Sequence, residues 1–124
     1  MKAEILLYVC SALVFGWGLA HLFPTGKVVQ GFGEISIDNK RIIEMEWITE
    51  GVALIFIGTL VAAVTFIDHG SKASFAVYWM SFAVLNILSL VSLFTGFKNS
   101  FIAFKLCPFI FTGSSLLILI GSLI

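Results

Sequence analysis

The residues of this 124-residue chain that could do chemistry are few and lie near one another along the sequence. His21 closes a first apolar run, and Glu46 and Glu50 open a second one. Spaced four apart, Glu46 and Glu50 share a helical face, whereas Glu44 does not. A histidine with two carboxylates could hold a divalent metal, act as a general acid–base group, or meet the polar head of an apolar ligand. The spacing contains neither HExxH nor ExxH, so no metal site is assigned. Set against all of these is a plainer reading, in which the rim acids are solvated or paired with Lys40 and Arg41. Trp47 lies between the two acids, and its amphipathic ring suits a membrane boundary. Asn86 is the fifth candidate: an amide midway along a third apolar run, with Ser89 and Ser92 on the same general side. In hydrocarbon such a group seeks a partner, which makes it interhelical glue or a ligand contact. His69 stands in a turn expected at the opposite end, where it reads as a solvated side chain. Cys10 and Cys107 each sit in an apolar segment without a CxxC pair, and read as buried thiols.

The elements that must position these residues follow from composition. The chain is 60% hydrophobic and only 11% charged, against about 25% charged in soluble domains. Its mean hydropathy is +1.10. A small soluble domain buries only part of its surface and could not hide so much apolar area; a lipid bilayer resolves this. The net charge is zero, so the basic patch of a nucleic-acid partner is missing. The expected fold is all-α: one four-helix transmembrane domain over 1–124, with spans near 3–22, 42–67, 74–95 and 101–124.

Each span is about as long as the 20 or so residues a bilayer demands. The first contains Gly18-Leu19-Ala20, which also fits a signal-peptide cleavage site, the competing reading. Ala12, Gly16 and Ala20 recur every fourth residue and offer a surface for close helix approach, within the monomer or across a dimer. Pro24 ends this helix. A structured interfacial loop then covers 23–41. Its Val28, Val29, Phe32, Ile35 and Ile37 are expected to fold onto the helix ends or lie in the interface. Alternation over Glu34-Ile35-Ser36-Ile37 allows a short β-hairpin. Gly31-Phe32-Gly33 lacks the context of a nucleotide-binding turn.

Asp38-Asn39 is the expected N-cap of the second helix. Measured from Lys40 to Ile67, that helix would be about 42 Å long against a hydrocarbon core of about 30 Å, so roughly two turns project beyond it. The short turns Asp68–Ala73 and Gly96–Ser100 make their flanking helices antiparallel neighbours. In the fourth span Pro108 marks a kink or first turn, and Gly113-Ser114-Ser115 allows close packing. Four crossings put the large loop and the Gly96–Ser100 turn on one side. Lys27, Lys40, Arg41, Lys98 and Lys105 are counted there, against Lys2 and Lys72 on the other. The positive-inside rule then favours a cytoplasmic loop with both termini outside.

In size and span count the chain resembles the small multidrug-resistance transporters and the DoxX-like membrane proteins. The former keep a glutamate deep in their first helix. Here that helix has only Glu4, at its margin, and the deep spans hold no ionisable residue, so the resemblance is one of topology. Three functions are therefore expected in order. The first is a membrane subunit or scaffold, packing as a homo-oligomer or within a larger complex. Next comes a binder of a lipid, quinone or other apolar molecule, with its polar head at His21, Glu46 and Glu50. The third is a small membrane enzyme using the same cluster. The sequence names no cofactor.

Overall fold

A computed structural model describes residues 2–124. The described residues form α1 (Lys2–Leu22), α2 (Thr25–Gln30), α3 (Ile37–Asp68), α4 (Lys72–Phe94), a 3-10 turn (Gly96–Lys98) and α5 (Ile102–Leu123). Four of these helices, α1, α3, α4 and α5, are long and apolar enough to cross a membrane, by length and composition. Helices suit that solvent because each satisfies its backbone groups internally.

The segment between α1 and α3 differs from the sequence expectation. Among the described residues there is no strand, so the β-hairpin at Glu34–Ile37 does not form. Instead, Pro24 leads straight into α2, and the Thr25 hydroxyl bonds back to the carbonyls of His21 (3.0 Å) and Leu22 (2.9 Å). Those are two of the orphan acceptors at the end of α1. Gly33 then turns the chain at φ +71°, a conformation glycine adopts without steric cost. Ser36, rather than Asp38-Asn39, caps α3, its hydroxyl accepting the Asn39 N–H at 3.2 Å. The alternation therefore breaks at the cap, and 37–41 belong to the helix rather than the loop. Asp38, in the first turn of α3, lies 3.9 Å from Arg41. The loop folds onto the bundle in part: Thr25 and Val29 are buried and Val28 and Ile35 half-buried, while Phe32 and Ile37 stay exposed.

Packing centres on α1, which contacts both α3 and α5. Leu7, Cys10 and Val14 of α1 meet Leu54 and Val61 of α3, Tyr78 and Leu85 of α4, and Phe111 and Ile118 of α5 in the core. Along the α1–α3 seam the backbones nearly touch. A Cβ on Gly18 would fall 2.7 Å from the Gly51 carbonyl oxygen, and one on Gly58 would fall 2.8 Å from the Ser11 carbonyl oxygen. The Ser11 hydroxyl closes this seam, donating to the Gly58 carbonyl at 2.5 Å.

The small-residue stripe picked from sequence is not this seam. Ala12, Gly16 and Ala20 are all exposed, and a Cβ on Gly16 would meet open space. The Gly113-Ser114-Ser115 run does supply packing, through its buried serines. Between α4 and α5, the Ser89 hydroxyl bonds to the Pro108 carbonyl (3.1 Å) and shares a bond with the Thr112 hydroxyl (2.7 Å).

Candidate functional site

The Gly18–Gly51 contact decides where His21 lies. With the backbones of α1 and α3 in touch there, the next turn of α1 lays His21 against α3, level with Trp47 and Glu50. The side chain is only 4% exposed. Its Nδ1 bonds the Trp17 carbonyl at 2.8 Å. A carbonyl only accepts, so Nδ1 carries a hydrogen. The other nitrogen, Nε2, faces Glu50 Oε1 at 3.5 Å. The His21 carbonyl in turn accepts from the Trp47 indole N–H as well as from Thr25.

Aromatic rings enclose the imidazole. The Trp47 ring lies 4.7 Å from it, centroid to centroid, and Trp17 stands edge-on at 6.0 Å. Phe104 of α5 packs edge-on against Trp47 at 5.3 Å. Residues from α1, α2, α3 and α5 thus hold His21 or its enclosing rings, which restricts its rotamer and tautomer.

Two cavities meet at this histidine. The larger, about 470 Å³, is walled by Trp17, Trp47, Phe101 and Phe104, and roofed by Val28 and Phe32 of the α2 segment. The smaller, about 290 Å³, is more polar, with Glu50, Ser92, Thr95 and Asn99 in its wall. His21, Phe32, Asn99, Phe104 and Cys107 border both. Trp17 and Trp47 line only the larger cavity, and Glu50 only the smaller. The buried indole N–H of Trp17 makes no hydrogen bond to nitrogen or oxygen and meets the Cys107 thiol, a weak acceptor.

Of the five sequence candidates, His21, Trp47 and Glu50 come together and two do not. Glu46 is exposed and lines neither cavity; the adjacent Trp47 takes the inward position at that level of α3. Asn86 also lines neither cavity, and its amide donates to the Phe82 carbonyl of its own helix at 2.8 Å. The bonding across helices that it was expected to supply is made one turn later by Ser89. Sequence reasoning missed Trp17, Thr25, Asn99 and Phe104. Trp17 was within reach, being four residues before His21 on the same helical face. Asn99 and Phe104 carry no such signal, because only tertiary packing brings the start of α5 to α1.

His69 is more than a solvated side chain: its Nδ1 lies 3.6 Å from Glu4 Oε1 at the far end of the bundle. Among the described residues no three His, Cys, Asp or Glu side chains converge as metal ligands.

Chemically, the His21–Glu50 pair is a proton holder. With Nδ1–H committed to Trp17, the lone pair of a neutral imidazole would point at a carboxylate. Attraction requires one further proton on Nε2 or on the carboxyl. An apolar chamber is thereby placed beside a polar pair whose contacts are with each other and with the Trp17 carbonyl. No family model, curated protein or solved structure matches this chain.

Proposed function

We propose that this multi-pass membrane protein binds an amphipathic small molecule of the lipid or quinone class, with the apolar body in the aromatic cavity and the polar head at His21. The observation that carries this is the aromatic cavity of about 470 Å³ with an immobilised histidine in its wall. Small-molecule sites typically measure about 300–1,000 Å³ and combine apolar walls with a few fixed polar groups. The basic residues Lys27, Lys40, Arg41 and Lys98, sequence neighbours of the cavity-lining segments, support a cytoplasmic position for this end.

A decyl-substituted benzoquinone added to the Trp79→Phe protein in nanodiscs tests the reading. Trp17 and Trp47 are then the remaining tryptophans, and excitation at the red edge of the indole band selects them over the two tyrosines. The expected result is saturable quenching at one quinone per chain, with affinity at least about tenfold lower in His21→Ala, as for loss of a charge-assisted hydrogen bond. Quenching that rises linearly with membrane quinone, equally in both proteins, would refute it.

A second reading, a self-associating subunit, draws on the outward Ala12, Gly16 and Ala20, since a small-residue face permits close helix contact in lipid. Native mass spectrometry of wild type and Gly16→Leu decides it: an oligomer lost on substitution supports this reading, and a monomer in both opposes it.

A further inference from the structure

Resting on the binding reading above, the geometry points to a ligand of the long-chain alkylammonium class. Its protonated amine head donates to both Glu50 and His21, in place of the proton that the pair otherwise holds, and its chain lies in the aromatic cavity. The pair, the charge of the walls and the rings between the two cavities each lead to it.

The Nδ1–H of His21 is spent on the Trp17 carbonyl, so in the neutral imidazole Nε2 has only a lone pair to offer. That lone pair faces Glu50 Oε1 at 3.5 Å, one acceptor opposite another. A nitrogen about 2.9 Å from each completes a triangle on that edge, at ordinary hydrogen-bond lengths. An ammonium carries three N–H donors on one atom and can serve both acceptors at once. A hydroxyl head brings one donor, and a carbonyl head brings none.

Charge points the same way. Glu50 is the one carboxylate in the wall of either cavity, and no lysine or arginine lines them. Among the described residues its ion-pair partner is His21, and its side chain is 38% exposed. The smaller cavity that it borders, about 290 Å³, has ample room for a head the size of a water, about 30 Å³. The walls also suit a cation with a chain attached. Phe32 and Phe104 border both cavities, and Trp17, Trp47 and Phe101 wall the larger one. The faces of such rings attract a cation within about 6 Å, and the same rings accept a hydrocarbon chain. Head and chain thus divide between two cavities that share His21, Phe32 and Phe104.

The ammonium and the pair's own proton compete, which fixes the sign of the pH dependence. Among the titratable side chains lining either cavity, Glu50 of α3 and the Cys107 thiol of α5 accompany His21, and α2 and α4 contribute none. With its proton, the pair is neutral overall, its two halves bond to each other, and a cation gains little. As pH rises that proton leaves, the pair carries one negative charge, and the amine takes the vacated bonds. Amine affinity therefore rises with pH until the amine itself loses its proton, near the lysine value of about 10.4.

The test displaces the decyl-benzoquinone from Trp79→Phe protein in phosphatidylcholine nanodiscs, whose lipid carries no net charge. Decylamine and decanol are the competitors, compared at equal membrane-bound concentration, and recovery of tryptophan fluorescence is the readout. At about pH 8 decylamine is expected to displace the quinone at least about tenfold more effectively than decanol, the difference made by one charge-assisted hydrogen bond. That advantage should shrink toward about pH 5 as protons reclaim the pair, while decanol stays level. Adding Glu50→Gln, which removes the charge, should abolish the advantage at every pH. Parity of decylamine with decanol at about pH 8, an advantage that is constant or grows toward acid, or one that survives Glu50→Gln overturns the ammonium head while the binding reading stands. If the quinone shows no saturable quenching, the binding reading falls and takes this one with it. The comparison of amine with alcohol across pH, made without the Glu50 substitution, decides the matter even where the variant fails to fold.

Discussion

Each end of the bundle carries a histidine facing a glutamate, and the distances are almost the same: 3.5 Å for His21–Glu50 and 3.6 Å for His69–Glu4. Their surroundings are not. His21 is 4% exposed, ringed by Trp17 and Trp47, bonded through its second nitrogen, and bordered by two cavities. His69 is 46% exposed and belongs to the turn between α3 and α4. Equal separation in the two pairs carries unequal meaning. In water a pair of this kind contributes about 0–1 kcal/mol and is screened by salt. In a desolvated setting its proton, tautomer and orientation are constrained by neighbours, which is what a binding or proton-transfer group requires.

Substitutions can break or sharpen that contrast. The largest effect is expected from Gly18→Leu. Its Cβ alone would lie 2.7 Å from the Gly51 carbonyl oxygen, and the obstacle is backbone, so the two helices must separate. The cost should reach or exceed the upper end of the ordinary 1–3 kcal/mol range, about 3 kcal/mol, for an overpacked core. Thermal unfolding in detergent should therefore show a marked fall in midpoint, with quinone binding lost as His21 moves off α3. Gly16→Leu, only two positions away but facing open space, should leave the midpoint nearly unchanged. Similar destabilisation in both variants would mean that the seam is misplaced.

An intermediate effect is expected from Trp47→Phe. The ring remains to stack on His21, but the N–H donated to the His21 carbonyl is lost. About 1 kcal/mol of stability should go with that bond. Quinone affinity should fall several-fold, read by quenching of the remaining Trp17 in the Trp79→Phe background. An unaltered midpoint and affinity would show that the indole holds nothing in place.

The smallest effect belongs to the other pair. His69→Ala should change stability by less than about 0.5 kcal/mol, as exposed substitutions usually do, and should leave quinone binding untouched. A change in binding as large as that of His21→Ala would erase the distinction between the two ends.

Part of this site was legible before any coordinates. His21 and Glu50 were bound to share an end once four crossings were counted, because both flank the same loop. Trp47 announced itself by residue type and position. Glu46 was equally visible but sits on the wrong side of its turn, and Asn86 satisfies itself within its own helix. That Ala12, Gly16 and Ala20 do not pack within the monomer has one cause: in a helix that is apolar all round, no contrast in polarity marks the buried face. The face that packs is chosen instead by steric fit, here Ser11 and Gly18 against Gly51 and Gly58. That choice depends on a partner helix about thirty residues away or more.

The sequence by itself determined the number of apolar helices, the gathering of charged groups toward the helix ends, and which polar residues share an end. All three depend on transfer between water and hydrocarbon, a property that adds up residue by residue along the chain. Only the tertiary structure decided which face of each helix turns inward, that His21 lies between two cavities while His69 stays at the surface, and that the start of α5 closes the site. These depend on contacts between atoms distant in sequence. Contacts of this kind are selected by shape, and shape has no value until the helices meet.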